Sequence, residues 1–338
     1  EDEMSLHGYS PSLGNTAVRG VVADSLKRRF GVPYETKHIF MTSGAAGAIA
    51  HAIRAVTKPG DEVLVFAPFF SEYHPYIHDT GAVLHMVEAD TPHFQIHWEA
   101  LEREMNPKVM AVLINSPNNP SGVVYSEETM QRLTDFLRQK EQEYGHDIFL
   151  ISDEPYREIV FDGEETPYPS LYYDNTLSCY SFSKSLSLPG ERIGYIAVNP
   201  KATDADILAI MFGQISRGIG HNCPSSSVQQ AVAKVINETC DMSVYETNRN
   251  LLYDCLTELG VEVEKPGGTF YIFPKALGGD AVAFCKKALE YDLVFVPSDN
   301  FGVKGYFRIA YCVDTEKVER SLPVIRRFVT DFLASNQR

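Results

Sequence analysis

One lysine and one arginine near the middle of the sequence have types and spacing suited to amine chemistry beside a bound anion. Lys184 follows the apolar run LSCYSF, which is typical of a buried strand, and Arg192 comes eight residues later. Burial and nearby cations lower the pKa of a lysine and make its amine a Schiff-base nucleophile, while an arginine can clamp a phosphate. A surface lysine on a serine-rich turn is the alternative interpretation.

A second chemical signal is the segment Asp153-Glu154-Pro155-Tyr156. Asp153 ends a strand of apolar residues, where a carboxylate without a compensating charge is unfavourable. A protonated pyridine nitrogen supplies such a charge, and Tyr156 can hydrogen-bond an oxygen on the same ring. An aspartate that caps the exit of a strand explains the pattern equally well.

Three further segments carry weaker signals. The small residues Ser43 to Gly47 follow a short strand and begin a helix, where backbone N–H groups can approach a phosphate. Close helix–sheet packing explains them equally well, because neither the P-loop nor the dinucleotide-binding fingerprint is present. The run NSPNNPSG at 115–122 is a rigid turn whose amides can bond a phenolic oxygen. Arg308 lies in an apolar strand and needs an anion, either a substrate carboxylate or a structural ion-pair partner.

The elements that must position these residues alternate along the chain. Helical patterns occupy 15–30, a segment from about Ala45, and 126–145. A short strand precedes Ser43, and further apolar runs predict strands at 61–68, 82–87, 109–117, 147–156, 177–184 and 192–200. Strands without clean alternation, separated by helices, indicate an α/β fold whose mostly parallel sheet is covered by helices on both faces. Ligands in such sheets bind at the strand ends.

The pattern changes after about residue 225. A long, mostly helical segment reaches residue 260, and the runs VEVEKPGGTFYIFPK, LVFVPS and YFRIAYC then resemble strands before a last helix near 318–333. Because a single hydrophobic core stops growing at about 250–300 residues, a chain of 338 residues favours two domains. We expect a large domain over 1–240 and a smaller C-terminal α/β domain over 241–338.

Composition excludes several classes of protein. Hydrophobic residues make up 44% and charged residues 22%, which are ordinary values for a globular enzyme. The net charge of −15 disfavours a nucleic-acid partner. No apolar run reaches the ~18 residues of a membrane span, and residues 1–4, EDEM, do not begin like a signal peptide.

Cysteine and histidine usage suggests neither disulfides nor a metal. The six cysteines include no CxxC pair and are expected to be reduced, mostly buried thiols of a cytoplasmic protein. Five histidines lie close together in the sequence but without the spacing of metal ligands, and we interpret them as structural or solvated: His74, His78, His85, His93 and His97.

The order and spacing of these segments are more specific than any one of them. With NSPNNPSG, SDEPY and SFSKSLSLPGERIGY in series, the sequence from Tyr9 to the C-terminus closely resembles the class I/II aminotransferases, which are pyridoxal-phosphate enzymes of the aspartate aminotransferase fold (fold type I). Within this family, the sequence is most similar to the bacterial aspartate-aminotransferase-like branch. The resemblance implies a transaminase that moves an amino group between an L-amino acid and a 2-oxo acid.

The resemblance also implies roles for individual residues. Lys184 matches the lysine that forms the Schiff base with pyridoxal 5′-phosphate, and Asp153 matches the partner of the pyridine nitrogen. Arg308 matches the arginine that grips the substrate α-carboxylate, together with Asn119. The remaining matches are the phosphate ligands Ser181, Arg192 and the amides of Gly44, Ala45 and Ala46, the ring-oxygen ligands Asn119 and Tyr156, and the stacking ring Phe70.

Tyr9 matches a phosphate-binding tyrosine that the family takes from a second subunit. It lies among turn residues ahead of the first helix, where little local structure can bury an aromatic ring. We therefore expect a homodimer with shared active sites; packing of Tyr9 on its own domain is the alternative. The chain starts several dozen residues late for the family, so either it is trimmed or internally started, or another segment closes the substrate site.

Two functions remain as alternatives to a transaminase, and the second of them fits the residues less well. A lyase or decarboxylase on this fold would use the same cofactor, and a non-catalytic relative would not need both Lys184 and Asp153. Arg217 is a candidate for binding a distal substrate carboxylate, although a surface arginine is the simpler interpretation.

Overall fold

A seven-stranded sheet forms the centre of the computed structural model, which describes residues 6–336. Residues 1–5, which include the EDEM start, and residues 337–338 lie outside this range. The strands are β1 (Ile39–Thr42), β2 (Glu62–Phe66), β3 (Val83–Val87), β4 (Val109–Asn115), β5 (Phe149–Asp153), β6 (Thr176–Ser181) and β7 (Gly194–Val198).

The order of the strands is β1-β7-β6-β5-β4-β2-β3. The pairings among β2 to β6 are all parallel, whereas β7 is antiparallel to both β1 and β6. This confirms the predicted mostly parallel sheet and adds one reversed strand. Each predicted strand of this part of the chain is present.

The described residues form eleven α-helices. They are α1 (Thr16–Phe30), α2 (Gly44–Val56), α3 (Tyr73–His78), α4 (Trp98–Glu104), α5 (Glu127–Tyr144), α6 (Phe182–Ser185), α7 (Ala205–Gly218), α8 (Ser226–Lys234), α9 (Ser243–Glu258), α10 (Ala281–Ala288) and α11 (Thr315–Asn336). Short 3₁₀ turns lie at Thr36–His38, Pro169–Leu171, Pro189–Glu191, Leu289–Tyr291 and Ser298–Phe301. Five of these helices were not among the predicted elements: α3, α4, α6, α7 and α10.

Local signals in the sequence set several helix ends. The side chain of Asn15 accepts hydrogen bonds from the first turn of α1, and Ser126 Oγ accepts from Thr129 N at the start of α5. These contacts satisfy N–H groups that have no partner inside a helix. Gly145 ends α5 at φ 72°, a left-handed conformation that suits glycine.

Helices bury both faces of the large sheet. On one face, β-strand residues such as Val65 and Ile151 form a core with Ile49 of α2 and Phe212 of α7. On the other face, Leu64, Val112 and Leu150 pack against residues of α4 and α5 that include Leu101, Met130, Leu133 and Leu137. The predicted two-sided cover is therefore confirmed, because neither face is left to solvent.

A smaller antiparallel sheet lies in the C-terminal part of the chain. Its strands β8 (Tyr271–Ile272), β9 (Val296–Pro297) and β10 (Phe307–Ala310) are ordered β8-β10-β9. They share a core with α9, α10 and α11, and Tyr156, Ile159 and Phe161 enter the same core from the segment after β5. The division of the chain at residue 240 stays a prediction.

Three expectations from the sequence bear on the described residues. No helix in residues 6–336 combines the length and the apolar character that a membrane crossing requires. All six cysteines are free; Cys179, Cys255 and Cys285 are buried, two others are half-buried and Cys312 is exposed. Of the histidines, His85 is held between Glu62 and Glu104.

Candidate active site

The predicted site residues meet in a cavity of about 350 Å³ where the carboxyl ends of the parallel strands approach the small sheet. This volume is within the range of small-molecule sites. The cavity is lined by Ala45, Ala46, Ile49, Phe70, Tyr76, Asn119, Asp153, Pro155, Tyr156, Ser181, Ser183, Lys184, Pro189, Arg192, Tyr271 and Arg308. Ten of the twelve predicted site residues are among them; Gly44 lies next to Ala45, and Tyr9 is elsewhere.

Lys184 reaches the cavity from the short helix α6, directly after β6. Its Nζ lies 5.0 Å from the centre of the Phe270 ring. Burial lowers the pKa of this amine, and the positive charges of Arg192 and Arg308 act in the same direction, while Cys312 opposes them. A larger fraction of Lys184 is therefore unprotonated and nucleophilic than of an exposed lysine.

Asp153 is the last residue of β5 and is 5% exposed. Its Oδ2 accepts a hydrogen bond of 2.6 Å from the hydroxyl of Tyr73. Its Oδ1 is buried and has no hydrogen-bond partner within the described part of the chain. Burial raises the pKa of Asp153 to about 7, the bond from Tyr73 opposes this rise, and the charge of Glu154 adds to it.

The first turn of α2 and Arg192 form the anion-binding end of the cavity. Gly44 begins the helix at φ +74°, and its missing Cβ leaves room for the guanidinium of Arg192, whose Nη2 would lie 3.0 Å from that atom. The side chain of Arg192 donates to the carbonyls of Pro189 and Ser43. The free amides of a helix start and a guanidinium together favour a phosphate.

Gly194 in β7 allows α2 to lie this close to the sheet. A Cβ at this position would lie 2.2 Å from the carbonyl oxygen of Tyr180 and 2.9 Å from the carbonyl carbon of Gly44. Ser181 lies opposite Gly194 in the neighbouring strand β6. The hydroxyl of Ser181 caps α6 by accepting from Ser183 N at 3.1 Å, and it donates to Ser183 Oγ at 2.8 Å.

Arg308 closes the cavity from β10. Its Nη1 donates to Asn119 Oδ1 at 2.7 Å, across 189 residues of sequence. The guanidinium carbon lies 4.4 Å from the centre of the Tyr271 ring and 5.1 Å from that of Phe301. Its Nε is buried and has no partner in residues 6–336. A fixed guanidinium with an unused donor is suited to a carboxylate.

Asn119 and Tyr156 line the cavity together with Asp153 and Arg308. The backbone N–H of Asn119 donates to Asn115 Oδ1 at 2.7 Å, which fixes the turn after β4. The ring of Tyr156 is buried edge-on against Tyr271, with centroids 6.0 Å apart. Burial, with Tyr271 beside it, raises the pKa of Tyr156, so its hydroxyl remains a hydrogen-bond donor at neutral pH.

Three further predicted residues differ in their placement. Phe70 lines the cavity, with its ring edge-on to Tyr73. Tyr9 is fully exposed and lies outside the cavity of its own chain. Arg217, near the end of α7, is exposed and does not line the cavity either.

Three aromatic residues of the site were not predicted from the sequence. Tyr73 and Tyr76 are one turn apart on α3, so they face the same side of that helix. Tyr271 reaches the cavity from β8 in the small sheet. The spacing of Tyr73 and Tyr76 immediately after Phe70 is a signal that could have indicated them, whereas Tyr271 had none beyond its place in a strand.

Comparisons with known proteins agree with this geometry. Residues 1–325 match the family model for aminotransferase class I and II. The chain is 30% identical over 337 residues to the aromatic-amino-acid aminotransferase 2 of Thermococcus litoralis, covering 95% of this chain and 83% of that protein. It is also 30% identical over 329 residues to the aspartate aminotransferase of Thermotoga maritima, again covering 95% and 83%.

A solved structure gives the same result. An amino transferase from Eubacterium rectale superposes with a TM-score of 0.95 at 45% identity, covering 98% of this chain and 83% of that one. The fold, the cavity and the family match point to one chemistry. The chain belongs to the class I and II aminotransferases, the pyridoxal-phosphate enzymes that move an amino group between an amino acid and a 2-oxo acid.

Proposed function

We propose that transamination takes place in the cavity described above, with Lys184 as the residue that bonds the cofactor and moves the proton. One observation carries the proposal: an amine of lowered pKa, an unpaired buried carboxylate oxygen, an anion-binding helix start and a fixed guanidinium line a single cavity. Together they match the parts of one cofactor and one substrate.

The residues fit pyridoxal phosphate. The buried Oδ1 of Asp153 needs a donor, and a protonated pyridine nitrogen is one. The amides at the start of α2, with Arg192 and Ser181, suit the phosphate. Phe70 suits one face of the ring, and Asn119 and Tyr156 suit its oxygen substituent. When bound, the cofactor supplies an aldehyde that reacts with amines and a ring that withdraws electrons from the bonds at the substrate Cα.

Each residue then has a separate task. Asp153, when ionised, holds the proton on the ring nitrogen. Arg308, fixed by Asn119 and by two aromatic rings, binds the α-carboxylate of the substrate through its free donor and so orients the Cα–H bond. Lys184 Nζ, when free, would take the proton from the Cα of the amino donor and, in the second half of the exchange, would deliver a proton to the Cα of the newly formed amino acid. The small sheet contributes Tyr271 and Arg308 to the lining of the cavity.

We further propose that the working unit is a homodimer in which Tyr9 completes the partner's cavity. Tyr9 has no cover from its own chain in the described residues. The segment that carries it is fixed beside α7, because Leu13 packs on Gly213 and Cys223 contacts the carbonyl of Pro11. Three apolar side chains of the same region are exposed and give a second subunit a surface to bury: Ile207, Ile210 and Ile219.

Two coarser properties complete the proposal. We assign the cofactor-binding part to residues 1–240 and the smaller part to 241–338, because most members of the core shared by α9, α10 and α11 lie after residue 240. A cytoplasmic location is supported by six free thiols, which persist in a reducing compartment.

The lysine is tested by the variant Lys184→Ala. We expect transamination to be lost while the phosphate-binding groups retain the cofactor without a covalent bond. Turnover with an amino acid and 2-oxoglutarate gives the first readout, and the absorbance retained after gel filtration gives the second. Near-normal turnover in the variant would contradict the assignment.

The shared site is tested by mixing two inactive variants, Tyr9→Ala and Lys184→Ala. Random exchange of subunits makes half of the dimers hybrid, and each hybrid has one intact site, so about a quarter of the wild-type activity should return. The matched control mixes Asp153→Ala with Lys184→Ala. Both of these residues belong to the same cavity, so every hybrid site carries a defect and no activity should return. If neither mixture recovers activity while hybrids are detected by mass, Tyr9 does not act across subunits.

A further inference from the structure

A tyrosine that lies behind the cavity wall contacts the carboxylate at the centre of the site. Tyr73, on α3, is 1% exposed, and its hydroxyl donates to Asp153 Oδ2 at 2.6 Å. The two residues are 80 positions apart in the sequence and belong to different elements. Tyr73 is absent from the cavity lining, so it acts on any ligand only through Asp153.

The two oxygens of Asp153 have different surroundings. Oδ2 is occupied by Tyr73, and Oδ1 is buried without a partner in the described residues. A carboxylate held at one oxygen cannot rotate freely, so the other oxygen keeps a fixed direction. The hydrogen bond also favours the charged form of the carboxylate.

We propose that Tyr73 is a positioning residue that keeps Asp153 ionised and fixed, with Oδ1 left for the ring nitrogen of the cofactor. The inference rests on the role given to Asp153 in the proposed function. It extends that role to a residue that touches neither cofactor nor substrate.

Other titratable groups face Asp153, and they do not replace Tyr73. They are Tyr76 on α3, Glu154 and Tyr156 beyond β5, and Cys179 on β6. Burial and the charge of Glu154 both raise the pKa of Asp153, and the bond from Tyr73 is the contact that lowers it. Tyr73 itself stays protonated, because burial and the neighbouring Asp153 raise its pKa well above the ordinary value.

The test measures the protonation of Asp153 directly in the cofactor-free protein. The infrared band of a protonated carboxyl group that disappears in Asp153→Asn is assigned to Asp153 and followed against pH. We expect its midpoint near 7 in the parent protein. In Tyr73→Phe the midpoint should rise by about one to two pH units, the equivalent of one hydrogen bond to a charged group.

A matched control removes a hydroxyl of the same kind elsewhere. Tyr125 is also buried, but its hydroxyl makes no hydrogen bond within residues 6–336 and it packs in the core on the other side of the sheet. Tyr125→Phe should leave the midpoint unchanged. Replacement of Tyr73 by 3-fluorotyrosine, a stronger donor of almost the same shape, should lower the midpoint and remains informative if Tyr73→Phe folds poorly.

A kinetic readout separates this inference from the proposed function. With cofactor bound, Tyr73→Phe should reduce kcat about tenfold with little change in KM for the amino donor, because the substrate contacts are intact. A midpoint that does not move in either Tyr73 variant would overturn the role of Tyr73. A midpoint that moves with kcat unchanged would instead overturn the role assigned to Asp153.

Discussion

Replacement of Asp153 by asparagine is expected to stabilise the cofactor-free protein at neutral and alkaline pH while it removes activity. Burial raises the pKa of this carboxyl from an ordinary 3.8 to about 7. Between these two pH values the folded chain binds the proton and the unfolded chain does not, so stability falls as pH rises through this range. Above pH 7 the full cost of the buried charge remains. Asparagine carries no charge and still accepts the hydrogen bond from Tyr73.

The size of the effect follows from the same two values. Each pKa unit corresponds to about 1.4 kcal/mol, so a rise from 3.8 to about 7 corresponds to about 4 kcal/mol above pH 7. At about pH 5.5, roughly half of this cost has developed. The stability gained by Asp153→Asn should therefore be about 2 kcal/mol larger at about pH 8.5 than at about pH 5.5.

The assay is urea unfolding of the cofactor-free protein at both pH values, with equal chain concentrations because any dimer makes stability depend on concentration. The lower pH stays above the sequence isoelectric point of about 5.1. Asp254→Asn on α9 is the control, since Asp254 is exposed and its substitution should give the same small change at both pH values. A gain from Asp153→Asn that does not grow with pH would refute the reasoning.

Two further predictions concern the ends of the cavity. Arg308→Lys keeps the charge but loses the planar guanidinium held by Asn119 and the two rings, so KM for the amino acid and for the 2-oxo acid should rise about tenfold or more. Steady-state kinetics measure this, with Arg320→Lys at an exposed arginine of α11 as the control. An unchanged KM in Arg308→Lys would contradict the prediction. Gly194→Ala places a Cβ 2.2 Å from the Tyr180 carbonyl oxygen, so it should cost about 1–3 kcal/mol and weaken retention of the cofactor. Gly190→Ala, with open space around its Cβ, is the control in thermal unfolding, and equal melting temperatures of the two variants would count against the argument.

The sequence predicted the large sheet because its strands are continuous apolar runs with polar residues at their ends. Asp153 and Lys184 follow two such runs, and parallel neighbours end at the same edge, so their proximity could be expected. The direction of β7 was not predicted, because an apolar run has the same appearance in either direction. Helix α7 was missed because its apolar residues occupy both a buried and an exposed face; Leu208 and Phe212 are buried, whereas Ile207 and Ile210 are exposed.

The contacts that organise the site could not be predicted from the sequence, for a different reason. Arg308 meets Asn119 across 189 residues, and Tyr73 meets Asp153 across 80. Local patterns indicate that a residue ends a strand or lies on a helix, but not which distant element it will contact. The packing of α3 on the large sheet and of the small sheet over the cavity decides both pairs.

The neighbouring acids Asp153 and Glu154 show what the structure adds to a motif. Both are buried, and the sequence alone does not show which of the two has a functional role. Glu154 accepts from Arg157 Nε at 2.8 Å, and the guanidinium of Arg157 is enclosed by the rings of Phe30, Tyr168 and Tyr180. The charge of Glu154 is thus compensated inside the protein. Both carboxylates keep one buried oxygen without a partner in the described residues, but Asp153 has only the neutral hydroxyl of Tyr73 as a donor and lines the cavity. Its charge is therefore left for a ligand to compensate, which is why the two carboxylates have different tasks.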